Sequence, residues 1–465
     1  MGHAGGIGNP YSMGIANFVS SFDLLSVPDN VKHRAKLLFL DSIGCGLYGA
    51  RLEWTRKLIA AITKVDQTKS CSLLAGLEKM GPLHAALVNG TQIQGFELDD
   101  VHRKGVLHVG AVTLPPLFAL AELNSEITGN DFLRAAIAGY EIGPRVGLCM
   151  GQEHIGQGWH SGATVGVFSA VAGASNLLKL TAEETLHAIG IAGTQSSGLM
   201  AAQFGAMVKR MHAGKSAHSG LLAALLAKEG FTGIVDVFEA PYGGFCSTFS
   251  RSEDRFDLEQ LVAGLGEEYQ LMNIALKFYS CVGSNHTTLD AIKDIQKRRP
   301  FSIGDFKEIR VFGSRVTVDH VGWDYRPEGL TSAQLNLPFC VATLLLEGDV
   351  FVDQFTSDCV GNQARIELSR KIKVIHDPNI TKRGSGYRHM VRVEVVFENG
   401  DLESETREYP RGSEYDFASD EEIISKFRTL AKSSISDTSA KNIVDMVMNI
   451  EELGSADLLL AEMSG

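Results

Sequence analysis

The sequence predicts a mostly α-helical protein: one large helical domain, with a smaller α+β lid domain inserted before the C-terminal helices. Three observations carry this. Ala-, Leu- and Gly-rich segments with apolar residues at helical spacing fill the chain to about residue 265, β-branched alternation begins after about Leu276, and helical patterning returns after Ser419. The expected large domain therefore takes residues 1–267 and 411–465, and the lid takes 268–410. At 465 residues the chain is long enough for two or three cores.

Taken in order, Met1 to Tyr11 is Gly-rich, lacks the basic and apolar regions of a secretory leader, and reads as a flexible tail. From Pro28 to Leu47, Val31, Ala35, Leu38, Phe39 and Ile43 recur at helical spacing. Further helices are expected over Leu83 to Gln94, Pro115 to Leu123, Asp131 to Met150, Ala163 to Leu180, Ala182 to Ile191 and Ala217 to Gly230. Thr181-Ala-Glu-Glu184 has capping-box form, a side-chain oxygen and a carboxylate placed to satisfy each other's backbone amides. In the lid, Lys307 to Phe312, Lys371 to Ile375 and Val391 to Phe397 read as strands, and Asn399-Gly400 turns the last of these into a return strand, Asp401 to Arg407. Ser332 to Leu346 reads as a helix among them, and a second capping box, Ser419-Asp-Glu-Glu422, opens a helical stretch from Ile423 to Met463.

Composition narrows the function. A net charge of -12 argues against a nucleic-acid partner, which needs a basic face, while leaving room for a local basic pocket. No apolar run approaches the ~20 residues that span a bilayer, so no membrane partner is expected. The seven cysteines are scattered with no C-x-x-C pair, which fits reduced thiols in the cytoplasm or an organelle matrix such as the mitochondrial one.

Four polar blocks interrupt the apolar texture. Gly95 to Glu122 holds Glu97, Asp99, Asp100, His102 and His108 between two helical segments, a density of titratable groups that structural loops rarely need. Asp100 has the position of a helix cap, and His108 stands where a helix restarts. Gly156 to Ala163 places His160 in a Gly-rich turn whose amides can approach a carboxylate. Gly205 to His218 carries Lys209, His212, Lys215 and His218 at intervals of three, with Arg210, the most basic patch of an acidic chain. Its Gly214-Lys215-Ser216 is no phosphate loop, because the required Gly is Lys209 and no strand precedes it. Leu276 to His286 brings Lys277, Tyr279, Cys281 and His286 to the junction of the two textures, where clefts form. Cys281 reads as a small buried residue, since nothing in sequence lowers its pKa.

As a set, Asp41-Ser-Ile-Gly-Cys, Glu97-Leu-Asp-Asp100, Gly-Trp-His160-Ser-Gly, Val-Lys209-Arg-Met-His-Ala-Gly, Tyr242-Gly-Gly-Phe245 and Lys277-Phe-Tyr-Ser-Cys resemble the MmgE/PrpD family over nearly the whole chain. That family includes 2-methylcitrate dehydratase, cis-aconitate decarboxylase and iminodisuccinate epimerase, and the local texture is closest to the fungal type of cis-aconitate decarboxylase. The resemblance implies a homodimer with no metal or organic cofactor and an active site between the domains. It points to Glu97, Asp99, His108, His160, Lys209 and Lys277 as catalytic residues, and to Lys209, Arg210, His212, Lys277 and Tyr279 as substrate-binding residues. The implied substrate is a small polycarboxylate, the implied reaction decarboxylation of cis-aconitate to itaconate. Dehydration of an alkylcitrate, an iminodisuccinate-type epimerisation and a helical scaffold without catalysis are the alternatives. Animal decarboxylases of the family carry a histidine where this chain has Val282, and His286 is the candidate to stand in for it.

Overall fold

Helices form where apolar spacing places them, and their packing frames the site. The computed structural model describes residues 9–76, 78–151, 153–250 and 255–464. In chain order the main helices of the first region are α1 (Pro10–Ser21), α2 (Asp29–Gly49), α3 (Glu53–Ile62), α4 (Pro82–Ile93), α5 (Val109–Leu123), α6 (Gly129–Met150), α7 (Ser161–Thr164), α8 (Gly166–Leu177), α9 (Ala182–Gly193) and α10 (Val208–Lys228). The second region has α11 (Gly283–Arg298), α12 (Arg315–Val321), α13 (Leu330–Leu335) and α14 (Leu337–Glu347), with β1 (Phe306–Gly313), β2 (Ile372–His376), β3 (Val391–Phe397) and β4 (Leu402–Arg407). Three helices follow: α15 (Asp420–Ala431), α16 (Asp437–Met448) and α17 (Asp457–Met463). The fold is mostly α. Among the described residues no helix is long and apolar enough to cross a membrane.

The core of the first region is α4, α5, α6, α8 and α10 packed on one another, and α15 lies against α2. Small residues let these helices touch backbone to backbone. A Cβ on Gly90 of α4 would sit 2.7 Å from the Gly214 Cα of α10, and one on Gly214 would sit 2.0 Å from the Leu87 oxygen, so neither position admits a side chain. This contact sets the C-terminal end of α4 beside the N-terminal turns of α10. The Glu97 loop and the Lys209 block are thereby brought together from far apart in sequence.

The strands form one sheet in the order β2-β1-β3-β4, parallel between β1 and β2 and antiparallel elsewhere. Alternation decides its faces: Val391, Val393, Val395 and Phe397 of β3 are buried, while α11 packs against β3 and β4. The Asn399-Gly400 turn closes the hairpin, with Gly400 at φ 89°, a left-handed value that glycine takes without strain.

Two expectations need correction. Residues 1–8 of the expected flexible tail lie outside the described residues, but Pro10 and Tyr11 begin α1, where the proline is pre-set for the first turn and the Glu239 carboxylate accepts from the Tyr11 and Ser12 amides at 2.8 Å. The expected helix from Ser332 to Leu346 is two helices, broken at Asn336, whose side chain caps α14 by accepting from the Phe339 amide at 2.9 Å. The expected C-terminal helices over Ile423 to Met463 are α15, α16 and α17, with Ser436 capping α16.

Candidate active site

The loop that follows α4 is buried, which is unusual for a segment so polar. Glu97, Asp99, Asp100 and His102 are each less than 5% exposed. Every carbonyl that such a loop buries needs a donor, and the donors come from distant parts of the chain. The Phe96 carbonyl accepts from Ser280 Oγ at 3.0 Å and Gln334 Nε2 at 3.2 Å. The Leu98 carbonyl accepts from Lys426 Nζ at 2.8 Å, and the same ammonium is paired with Asp41 at 2.5 Å. Glu97 itself sits at φ 58°, a left-handed conformation that costs a side-chain-bearing residue about 1–3 kcal/mol and persists where its surroundings over-determine it.

Those surroundings are three cations. Lys209 Nζ and Arg210 Nη1 both donate to Glu97 Oε1, the latter at 2.6 Å, and Lys277 Nζ lies 3.7 Å from Oε2. Burial alone would raise the Glu97 carboxyl; Lys209, Arg210 and Lys277 overcome it and hold the group well below the usual carboxylate range. Burial in turn lowers Lys209, with the Glu97 charge opposing it. Arg210 is fixed further by Thr331 Oγ1 and Gln334 Oε1, both 3.1 Å from its Nη2, so α13 grips the same guanidinium. Gln334 thus joins Arg210, Ser280 and the Phe96 carbonyl in one network.

Beside this cluster, His108 Nδ1 faces two acceptors, Asp99 Oδ2 at 3.0 Å and the Asp100 carbonyl at 3.0 Å. Nδ1 must therefore carry the proton, and Nε2 is the nitrogen left for chemistry. Burial would raise Asp99, yet His108 and Lys277, the latter 4.0 Å from Oδ1, hold its carboxyl below the usual range. Asp100 does what its position suggested: its oxygens accept from the Gly110 amide at 3.0 and 3.1 Å and cap α5.

A second corner is a pair of imidazoles. His160 Nδ1 lies 3.0 Å from His212 Nδ1, a distance that admits one proton between two rings. Burial, then the Lys209 charge, pushes His160 well below its ordinary value and lowers His212 as well. Both rings are neutral near pH 7.

The sequence-predicted residues divide plainly. Glu97, Asp99, His108, Lys209, Arg210 and Lys277 form one ion-pair cluster, with the His160–His212 pair next to Lys209. Tyr279 does not join them. Its hydroxyl donates to Asp290 at 2.7 Å, so it serves the packing of α11 rather than the cluster. His286 does not replace the imidazole absent at Val282: its Nε2 is spent on the Cys281 carbonyl at 3.1 Å, and its ring lies edge-on to Tyr279. Cys281 is buried, which raises its thiol well above the ordinary range and leaves it inert.

The sequence reading missed His320, Gln334, Arg388 and Lys426. His320, on α12, feels the charges of Arg388, Lys209 and Glu97, so it stands near the cluster. It also lines a cavity of about 430 Å³ with Gln203, Trp323, Ser332 and Leu335, beneath an exposed rim that includes Asp319 and Arg326. A histidine at the end of a seven-residue helix was the one available signal.

Comparison with known proteins agrees with this architecture. The chain matches the MmgE/PrpD N-terminal domain over residues 14–257 and the MmgE/PrpD C-terminal domain over residues 279–452. It belongs to the MmgE/PrpD family. Among curated proteins it is 36% identical to a cis-aconitate decarboxylase-like protein, oryM, of Aspergillus oryzae, over 97% of this chain and 96% of that one. It is 34% identical to a cis-aconitate decarboxylase of Aspergillus terreus, over 96% and 94% of the two chains, and 25% identical to the human cis-aconitate decarboxylase, over 94% and 91%.

Proposed function

We propose that this protein is a cofactor-independent lyase that decarboxylates cis-aconitate to itaconate. The similarity to cis-aconitate decarboxylases along nearly the whole chain supports the substrate class, and the observation that carries the chemistry is His108. With Nδ1 committed to Asp99 and the Asp100 carbonyl, the ring presents Nε2 as its one exchangeable position. An imidazolium there has the Asp99 carboxylate at 3.0 Å as a counter-ion, so the proton-donating form is provided for.

Charge balance supports an anionic substrate. Lys209, Arg210 and Lys277 face Glu97 and Asp99, which leaves one net positive charge in a desolvated pocket, enough to hold one carboxylate. In the reaction, the C–C bond to the departing carboxylate breaks and its electron pair becomes the new exomethylene C=C. The old C=C pair takes the proton from His108 Nε2, and carbon dioxide leaves. His160, neutral because it is buried beside Lys209, acts as a hydrogen-bond donor to the substrate rather than as the acid. The family resemblance also supports a homodimer, which light scattering of the purified protein checks.

The direct test is incubation with cis-aconitate and detection of itaconate by proton NMR. If no itaconate forms while 2-methylcitrate loses water, the dehydratase reading replaces this one.

A further inference from the structure

The cations of the Glu97 cluster are nearly spent on carboxylates of the protein itself, so a substrate with two or three carboxylates needs positive charge from elsewhere. One guanidinium near the site meets that need. Arg388 donates from Nε to His389 Nε2 at 2.7 Å and from Nη2 to the Arg103 carbonyl at 3.1 Å. Among the described residues it pairs with no carboxylate, and its Nη1 has no hydrogen-bond partner. Glu414, the acid that acts on it at longer range, is engaged by Arg103 at 3.3 Å.

The position of this guanidinium is built rather than incidental. The Arg388 carbonyl accepts from Ser314 Oγ at 2.6 Å and Thr317 Oγ1 at 2.8 Å, both at the start of α12. The same helix carries His320 at its other end. His320 Nδ1 is 3.3 Å from Ser284 Oγ, at the start of α11, which leaves Nε2 without a protein partner among the described residues. The charges of Arg388, Lys209 and Glu97 all act on His320, so the imidazole is near both the guanidinium and the cluster. Arg388's second bond, to the Arg103 carbonyl, ties the lid to the loop that carries Asp99 and His108.

We propose that Arg388, with His320 and Ser284 beside it, forms a lid-side subsite for a second carboxylate of the substrate. A guanidinium with a free Nη1 presents N–H donors in a fixed fork that suits a carboxylate, and His320 Nε2 supplies a further hydrogen bond. An anion there supplies the counter-charge that Arg388 lacks. Burial and the neighbouring Arg103 lower its guanidinium to about 10, still protonated at neutral pH. The inference rests on the reading of the substrate as a polycarboxylate.

The test uses a non-reacting probe, propane-1,2,3-tricarboxylate, and isothermal titration calorimetry on the full chain. Wild-type protein binds the probe, Arg388→Gln weakens binding by about 10–100-fold, Arg388→Lys falls between, and Arg326→Gln on the exposed cavity rim leaves it unchanged. Binding by the wild type with no loss in a folded Arg388→Gln overturns the subsite and leaves the polycarboxylate reading standing. No binding by the wild type overturns that reading itself. If Arg388→Gln does not fold, the wild type decides: the His320 ring resonance, assigned with His320→Gln, moves on adding the tricarboxylate, and an unmoved resonance overturns the proposal.

Discussion

Two stretches of this chain are equally rich in polar residues, and the fold uses them differently. Residues 97–108 place Glu97 and Asp99 against cations, and among the described residues leave His108 Nε2 without a protein partner. Residues 277–286 contribute Lys277 to that same cluster, but spend Tyr279 on Asp290 and His286 on the Cys281 carbonyl. The difference lies in what surrounds each group. A residue whose polar atoms are all satisfied by the protein holds structure; one with an atom left over, in a pocket that water cannot easily fill, is available for chemistry.

The comparison predicts its largest contrast between the two histidines. His108→Gln lowers kcat by about 10²–10⁴-fold if Nε2 is the proton donor. His286→Gln changes kcat only a few-fold and shows itself in the melting temperature, through a hydrogen bond worth about 1 kcal/mol. Itaconate formation followed by NMR, beside thermal melts, separates the outcomes. Equal losses of activity would remove the distinction.

Within the first stretch, His102 and His108 form a second contrast that pH resolves. Both nitrogens of His102 are taken: Nδ1 accepts from the Gly105 amide at 3.0 Å, and Nε2 donates to Gln270 at 3.3 Å. Burial lowers it to about 4, as it does His154. Such a group binds its proton more readily unfolded than folded. It costs nothing above pH 6.5, and stability falls as pH drops from 6.5 towards 4, by about 3 kcal/mol for His102 before levelling off. Chemical denaturation at pH 7.5 and pH 4.5 should show this loss, and His102→Gln should lessen it. A loss of the same size in the variant would assign it to other groups.

How far the sequence could be read follows the same division. The capping boxes at Thr181 and Ser419 and the Asn399-Gly400 hairpin were legible, because each is a local device whose partners lie within four residues. The break at Asn336 was not, because apolar residues continue through it and only the cap and Pro338 mark it. In the site, Glu97, Asp99, His108, His160 and Lys209 stood out as polar residues in apolar or Gly-rich surroundings. Lys426 and Arg388 gave no such signal. Lys426 lies in an ordinary amphipathic helix and meets the Leu98 carbonyl across more than three hundred residues. Arg388 sits among other charges in the second region, and only tertiary packing reveals that among the described residues it pairs with no acid.

Lys277 and Tyr279, two residues apart, sharpen the contrast at smaller magnitude. Lys277→Met removes the charge that makes the pocket net positive, and should raise KM for a polycarboxylate by about 10–100-fold. Tyr279→Phe removes the bond to Asp290 and should leave kcat and KM near wild type while costing about 1–3 kcal/mol of stability, because the Asp290 acceptor stays buried. Steady-state kinetics on cis-aconitate with a melt for each variant reads both. A shifted KM in Tyr279→Phe would place its hydroxyl in the site after all.

The smallest effect should come from adjacent acids of like sequence and unlike work. Asp100 caps α5 through the Gly110 amide, and burial followed by the Asp99 charge pushes its carboxyl well above the usual range. Asparagine offers the same amide an acceptor oxygen without a charge to bury, so Asp100→Asn should alter stability by less than about 1 kcal/mol, within the spread among good caps, and kcat by a few-fold at most. Asp99→Asn is the converse. Its carboxylate caps no helix; its charge is what faces His108 and Lys277. Removing that charge takes away the counter-ion of the imidazolium, so kcat should fall on the alkaline side of the pH profile first, where the proton-donating form of His108 is hardest to keep. A flat profile in Asp99→Asn with a perturbed one in Asp100→Asn would exchange the roles given to the two carboxylates.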